Sequence, residues 1–187
     1  MLTRGEFAAA LAGVRGLARL DVRALRLFDA THRGFWNSFW AAAILAPFAA
    51  ITVAREAIVA PPPSLWRLIA VESIGYAIGW LAFPLVMVWV AERLGRGDRY
   101  FVYMVPYNWF HLIEIALGGP ILLLSLSGLL PVEAEKFLVM LVLLALLGYE
   151  WFIAKNALLV SSGVAAMLVG LDLSLTLAID YVTSKLP

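Results

Sequence analysis

The sequence predicts an all-α fold: a polytopic helical integral membrane protein with about five transmembrane helices, preceded by an amphipathic, basic N-terminal helix. Composition is the first reason. Of 187 residues, 63% are hydrophobic and 14% charged, with a mean hydropathy of +0.91. A soluble domain is about half apolar and about a quarter charged, so a water-soluble fold is excluded. Segmentation is the second reason. The chain divides into charge-poor runs close to the ~20 residues that cross a ~30 Å hydrocarbon core, separated by short loops.

Residues 1–34 form the one substantial segment outside the spans. Arg4, Arg15, Arg19, Arg23 and Arg26 fall within an arc of about 100° on a helix, and Phe7, Val14, Leu17, Leu25 and Phe28 cluster on another face. Thr3 followed by Glu6 reads as a capping box, and Asp21 offers a second cap if the helix breaks there. These five arginines are the candidate contacts to lipid headgroups, each contributing on the order of 1 kcal/mol near an anionic surface. No apolar stretch with a small-residue cleavage site precedes them, so a signal peptide is not expected.

Span one is expected over 35–54, opening on Phe35, Trp36, Phe39 and Trp40 at the headgroup boundary, with a kink at Pro47. Pro61, Pro62 and Pro63 end any helix. Span two follows over 65–91, with Glu72, Gly75, Tyr76 and Gly79 on one face, where Gly75 and Gly79 have the spacing of a helix-packing pair. Span three covers 100–125, kinked or broken near Gly118, Gly119 and Pro120. From Phe137 to Leu186 the apolar run is too long for one crossing, so a turn is placed at Ser161–Gly163, giving spans over 136–160 and 163–184.

Basic residues fix the expected orientation. Arg4, Arg15, Arg19, Arg23, Arg26, Arg33, Arg93, Arg96, Arg99 and Lys155 fall on one side, against Arg55, Arg67, Lys136 and Lys185 on the other. With five spans the positive-inside rule puts the N-terminus in the cytoplasm and the C-terminus outside; a four-span arrangement, with the Ile121 region or span five not fully inserted, would put both ends inside.

Ionisable groups within spans are costly and mark candidate sites. Glu114 lies near the expected bilayer middle, Glu150 and Asp172 close to that depth, and Glu72 nearer the outside. No Lys or Arg shares their depth, although Lys155 lies one turn from Glu150. Tyr103, Tyr107, His111 and Glu114 fall within an arc of about 80°, with Asn108 on its flank. Such a stripe serves either as a proton relay or polar path, or as a hydrogen-bonded contact between helices. Without cysteine, and with only His32 and His111, thiolate metal sites, iron–sulfur clusters and disulfides are excluded and no metal or cofactor is expected. The sequence carries no nucleotide-binding, hydrolase-elbow or zinc-protease motif and no nucleic-acid-binding module.

The half from Tyr100 onward resembles bacterial members of the Yip-type superfamily, five-span proteins named for Ypt/Rab-interacting relatives. The residues concerned are Tyr-Met-Val-Pro-Tyr-Asn-Trp from Tyr103 to Trp109, and Trp151-Phe-Ile-Ala-Lys-Asn-Ala-Leu followed by Gly163 and the Asp172 segment. The Gly34–Trp40 stretch, Gly-Phe-Trp-Asn-Ser-Phe-Trp, is also similar to uncharacterised bacterial membrane proteins. The resemblance implies a bacterial inner membrane and no catalytic residues. The leading expectation is therefore a non-enzymatic protein that organises membrane or binds a protein partner or a second copy. The alternative is a small transporter or channel subunit that moves protons, cations or a small solute past the intramembrane carboxyls.

Overall fold

The structure, a computed structural model, describes residues 2–186. It is helical, with no strand among the described residues. Five helical stretches, His32–Val59, Leu65–Arg93, Gly97–Leu126, Val132–Leu158 and Ser162–Thr183, are long and apolar enough to cross a membrane.

The N-terminal segment is folded by local caps. Helix α1 (Arg4–Leu17) starts at the Thr3–Glu6 box: Glu6 N donates to Thr3 Oγ1 (3.2 Å), and Thr3 N donates to Glu6 Oε2 (2.7 Å). The chain then turns through Leu20, which has φ of 56°. Asp21 accepts from Arg23 N at 2.9 Å and opens a 3-10 turn, Val22–Leu27. Thr31 accepts from Gly34 N and opens α2 (His32–Ser38).

The hydrogen bonds to Thr3, backbone first and side chain second, together with Arg33, hold the Glu6 carboxyl below its ordinary value of 4.5. A carboxyl lowered by folding stabilises the fold fully above its unfolded pKa, and that contribution disappears as the pH falls through the folded value. Fraying of α1 should therefore be constant at neutral pH and increase only below about pH 4.5. Hydrogen exchange of residues 4–10 across an acid titration measures this, and Glu6→Gln should flatten the dependence.

Span one is stepped. Helix α3 (Trp40–Val59) begins one residue after α2 ends, at Phe39, and Pro47 lies within it. Ser64 caps α4 (Leu65–Arg93), which also contains a proline, Pro84. Helix α5 (Tyr100–Leu126) runs through Pro106, Gly118, Gly119 and Pro120 without interruption, so the chain does not break near 118–120. In hydrocarbon, freed backbone groups have no water to turn to, and packing against neighbours keeps such a helix continuous. Here Phe48 of α3 stands against Gly119. Helix α6 (Val132–Leu158) starts directly after Pro131, four residues before the expected start at 136. Its end is set by Leu159, with φ of 54°, after which Ser161 caps α7 (Ser162–Thr183) by accepting from Val164 N.

Helix α5 is the centre of the bundle and packs on α1, α2, α3, α4 and α6, while α7 closes against α4 and α6. Every residue from Tyr103 to Phe110 is buried, so this stretch is surrounded on all sides. Phe83, Met87, Ala91, Ile153, Ala157, Leu158, Ala165 and Leu168 complete the core from α4, α6 and α7, and Leu17, Ala24, Phe28 and Phe35 cover it from the N-terminal segment. At this end Arg99 Nε donates to the Ala157 carbonyl and Arg96 to the Leu159 carbonyl (3.3 Å), pairing cations with the C-terminus of α6. The opposite end, formed by the α3–α4 and α5–α6 loops and the end of α7, is loosely packed. There Ile58, Val59, Trp66 and Phe137 are exposed. Arg55 and Glu135 (2.9 Å) tie α3 to α6 at that end.

Candidate functional site: an acidic intramembrane cavity

Between α3, α4, α5 and α7 the loosely packed end encloses a cavity of about 600 Å³. Its floor is the packed core. Each wall presents one helical face. From α7 come Asp172, Thr176, Ile179 and Thr183, at steps of four, three and four residues. From α4 come Glu72, Gly75, Tyr76, Gly79 and Trp80, and from α5 Tyr107, His111, Glu114, Ile115 and Gly118. Leu45, Phe48 and Thr52 close it from α3. A second hollow beside Pro61–Pro63 shares Glu72, Asp180 and Thr183 with the first, so the two adjoin at these residues.

The polar groups are ordered by depth. Tyr107 donates its hydroxyl to Asp172 Oδ2 at 2.8 Å. One turn outward, His111 Nδ1 lies 3.1 Å from Glu114 Oε2. The His111 ring is 4.8 Å from that of Trp80 and 5.2 Å from that of Tyr107. Tyr76 donates to the Ala42 carbonyl at 2.6 Å, holding α4 to the first turn of α3. Among the lining residues are the carboxyls Glu72, Glu114, Asp172 and Asp180, and neither a lysine nor an arginine.

Glu150 does not line the cavity. It is 5% exposed and stands on α6 beside Asp172, and its Oε1 has no hydrogen-bond partner among the described residues. The Tyr103 hydroxyl near it is also buried and unpartnered. Lys155, one turn away, sits over the Trp151 ring at 4.8 Å and makes no ion pair with Glu150.

The structure thus divides the stripe on α5. Tyr107, His111 and Glu114 face the cavity, whereas Tyr103 points into the sealed core behind it. Asn108 lies on another side, fully buried, donating Nδ2 to Ser38 Oγ of α2 at 2.8 Å. The two glycines of α4 differ as well. A Cβ on Gly75 would come 2.7 Å from Thr183 Cγ2, so α4 and α7 approach closely there, but nothing stands within 4 Å of a Cβ on Gly79. The candidate headgroup contacts Arg4, Arg15, Arg19, Arg23 and Arg26 are all exposed, and Arg15, Arg19 and Arg23 line one open groove.

Trp80 and Asp180 were not singled out by sequence. Trp80 continues the Glu72–Tyr76 face by one turn, and Asp180 lies two turns beyond Asp172, so helical spacing was the available signal. No three His, Cys, Asp or Glu side chains are grouped to hold a metal ion among the described residues. No protein-family model, curated protein or solved structure matches the chain.

Proposed function

We propose that this five-span membrane protein transports a small solute, with the Asp172–Glu150 pair carrying a proton during the cycle. The observation that supports this reading is the cavity itself, which brings Glu72, Glu114 and Asp172 together with His111 and without a lysine or arginine on its walls. A scaffold would seal its intramembrane acids in helix contacts, because open polar surface in a bilayer is costly. Two neighbouring carboxylates with no fixed cation beside them repel each other strongly in a low-dielectric site. A proton or a cationic ligand relieves that repulsion, and alternation between the two links solute movement to proton movement. The excess of basic residues around the N-terminal end orients that end toward the cytoplasm in this reading, so the cavity opens outward.

Reconstitution into sealed vesicles containing a pH-sensitive dye tests the proposal. An imposed pH gradient should dissipate faster with protein than without, and Asp172→Asn should reduce the protein-dependent rate by at least about tenfold. A wild-type rate equal to that of empty vesicles, with and without a panel of candidate solutes, would overturn it.

A membrane-organising role, in the manner of the Yip-type proteins, is supported by a different feature. Exposed Leu11, Leu20, Val22 and Leu27 lie among Arg15, Arg19, Arg23 and Arg26 on the outer face of the N-terminal segment. That combination suits an anionic bilayer surface. Reversing Arg15, Arg19 and Arg23 to Glu should then abolish clustering of vesicles rich in anionic lipid, and unchanged clustering would count against this role.

A further inference from the structure

The cavity is too large and too aromatic for a path that serves protons alone. Its volume of about 600 Å³ lies within the range of sites for small organic ligands. Its carboxyls come from three helices: Glu72 from α4, Glu114 from α5, and Asp172 and Asp180 from α7. Tyr76 and Trp80 of α4, with ring centroids 6.2 Å apart, and Phe48 and Leu45 of α3 supply the aromatic and apolar lining. A metal ion would find no three carboxyl or imidazole groups gathered to hold it among the described residues. An anion would meet four carboxyls. A neutral solute would bring no charge to set against four carboxyls that share one imidazole and no lysine or arginine. Behind Asp172, outside the lining, Glu150 is buried with its Oε1 lacking a hydrogen-bond partner among the described residues.

We infer that the ligand of this cavity is an organic cation with an apolar or aromatic body, a protonated amine or a quaternary ammonium, its charge between Glu114 and Asp172 and its apolar part against Trp80 and Tyr76. This assignment rests on the transport reading for the use of the site, but binding can be tested separately. Carboxylates supply the charge complement, and electron-rich ring faces attract the cation while covering its apolar surface. The acidic hollow at Glu72, Asp180 and the α3–α4 loop would raise the local concentration of cations at the entrance.

The test is saturable binding of labelled benzyltrimethylammonium to the full chain in lipid nanodiscs, measured by equilibrium dialysis against empty nanodiscs. Glu114→Gln and Asp172→Asn should each weaken binding by about tenfold or more. Trp80→Leu should weaken it about tenfold while Trp80→Phe stays close to wild type. The Trp80 pair keeps the test valid if a carboxyl variant fails to fold. No saturable binding by wild type, or binding by Trp80→Leu and Glu114→Gln as tight as that of wild type, would overturn the assignment. Binding without proton flux in vesicles would refute the transport reading and leave the ligand class standing. Proton flux without binding would refute the ligand class alone.

Discussion

Glu150→Gln is expected to make the protein more stable and to stop proton-linked transport. The carboxyl is buried between α6 and α7, beside Asp172, with one oxygen lacking any partner among the described residues and no cation in contact. Burying an uncompensated ionisable group opposes folding, and its removal returns about 1–3 kcal/mol. A neutral amide of the same shape relieves the repulsion with Asp172 and can bond the Tyr103 hydroxyl, which has no partner now. Thermal unfolding in detergent should show a higher midpoint, and vesicle assays should show loss of protein-dependent proton flux. Two readouts moving in opposite directions distinguish a functional acid from a structural one. A lower midpoint together with normal flux would assign Glu150 to packing and remove it from the transport cycle.

Gly34→Ala is expected to be the most damaging single-methyl substitution in the N-terminal segment. A Cβ at this position would collide with the carbonyl oxygen and Cβ of Asp29. A backbone carbonyl cannot rotate aside as a side chain does, so α2 must shift away from the turn that precedes it. The same turn places Arg33 on Glu6, Phe28 against Gly13 and Phe35 against Tyr100 and Phe101. A loss of about 2–3 kcal/mol follows from overpacking of this kind. Protease should then cut near residues 18–31 in the variant and leave the five spans intact. Gly118→Ala is the comparison, because nothing stands within 4 Å of its Cβ. There, removal of helix-interior glycine should be neutral or stabilising by up to about 1 kcal/mol. Equal protection of both variants would mean that the Asp29 turn is not rigid.

Local signals in this chain were readable and tertiary ones were not. Thr3 with Glu6, Asp21 and Ser161 act within three residues of themselves, so their capping geometry follows from spacing alone. The five apolar runs were equally visible because length and hydropathy decide them. The proline-containing helices were harder. Pro120 reads as a helix breaker by the rules of aqueous proteins, but α5 continues because its neighbours and the surrounding lipid penalise an open backbone. Asn108 shows the limit of a helical arc. Its angle places it on the flank of the Tyr107–Glu114 stripe, yet only the position of α2 decides that it faces Ser38 and not the cavity. The cavity needed four helices to be placed together, and the one warning in the sequence was an excess of intramembrane acids over cations.

The packing of the N-terminal segment has a consequence for biosynthesis. Phe7 rests 5.9 Å from the Trp109 ring, and Tyr149 donates its hydroxyl to the Ala18 carbonyl, a pairing across 131 residues. Segments leave the ribosome in order, so α1 is made first and meets its α6 partner only after four more helices have been synthesised. Until then its arginines and uncovered leucines have the membrane surface as their available support. Docking of α1 therefore proceeds in two stages, packing on α5 once that helix is made and closing the Tyr149 bond only after α6 follows.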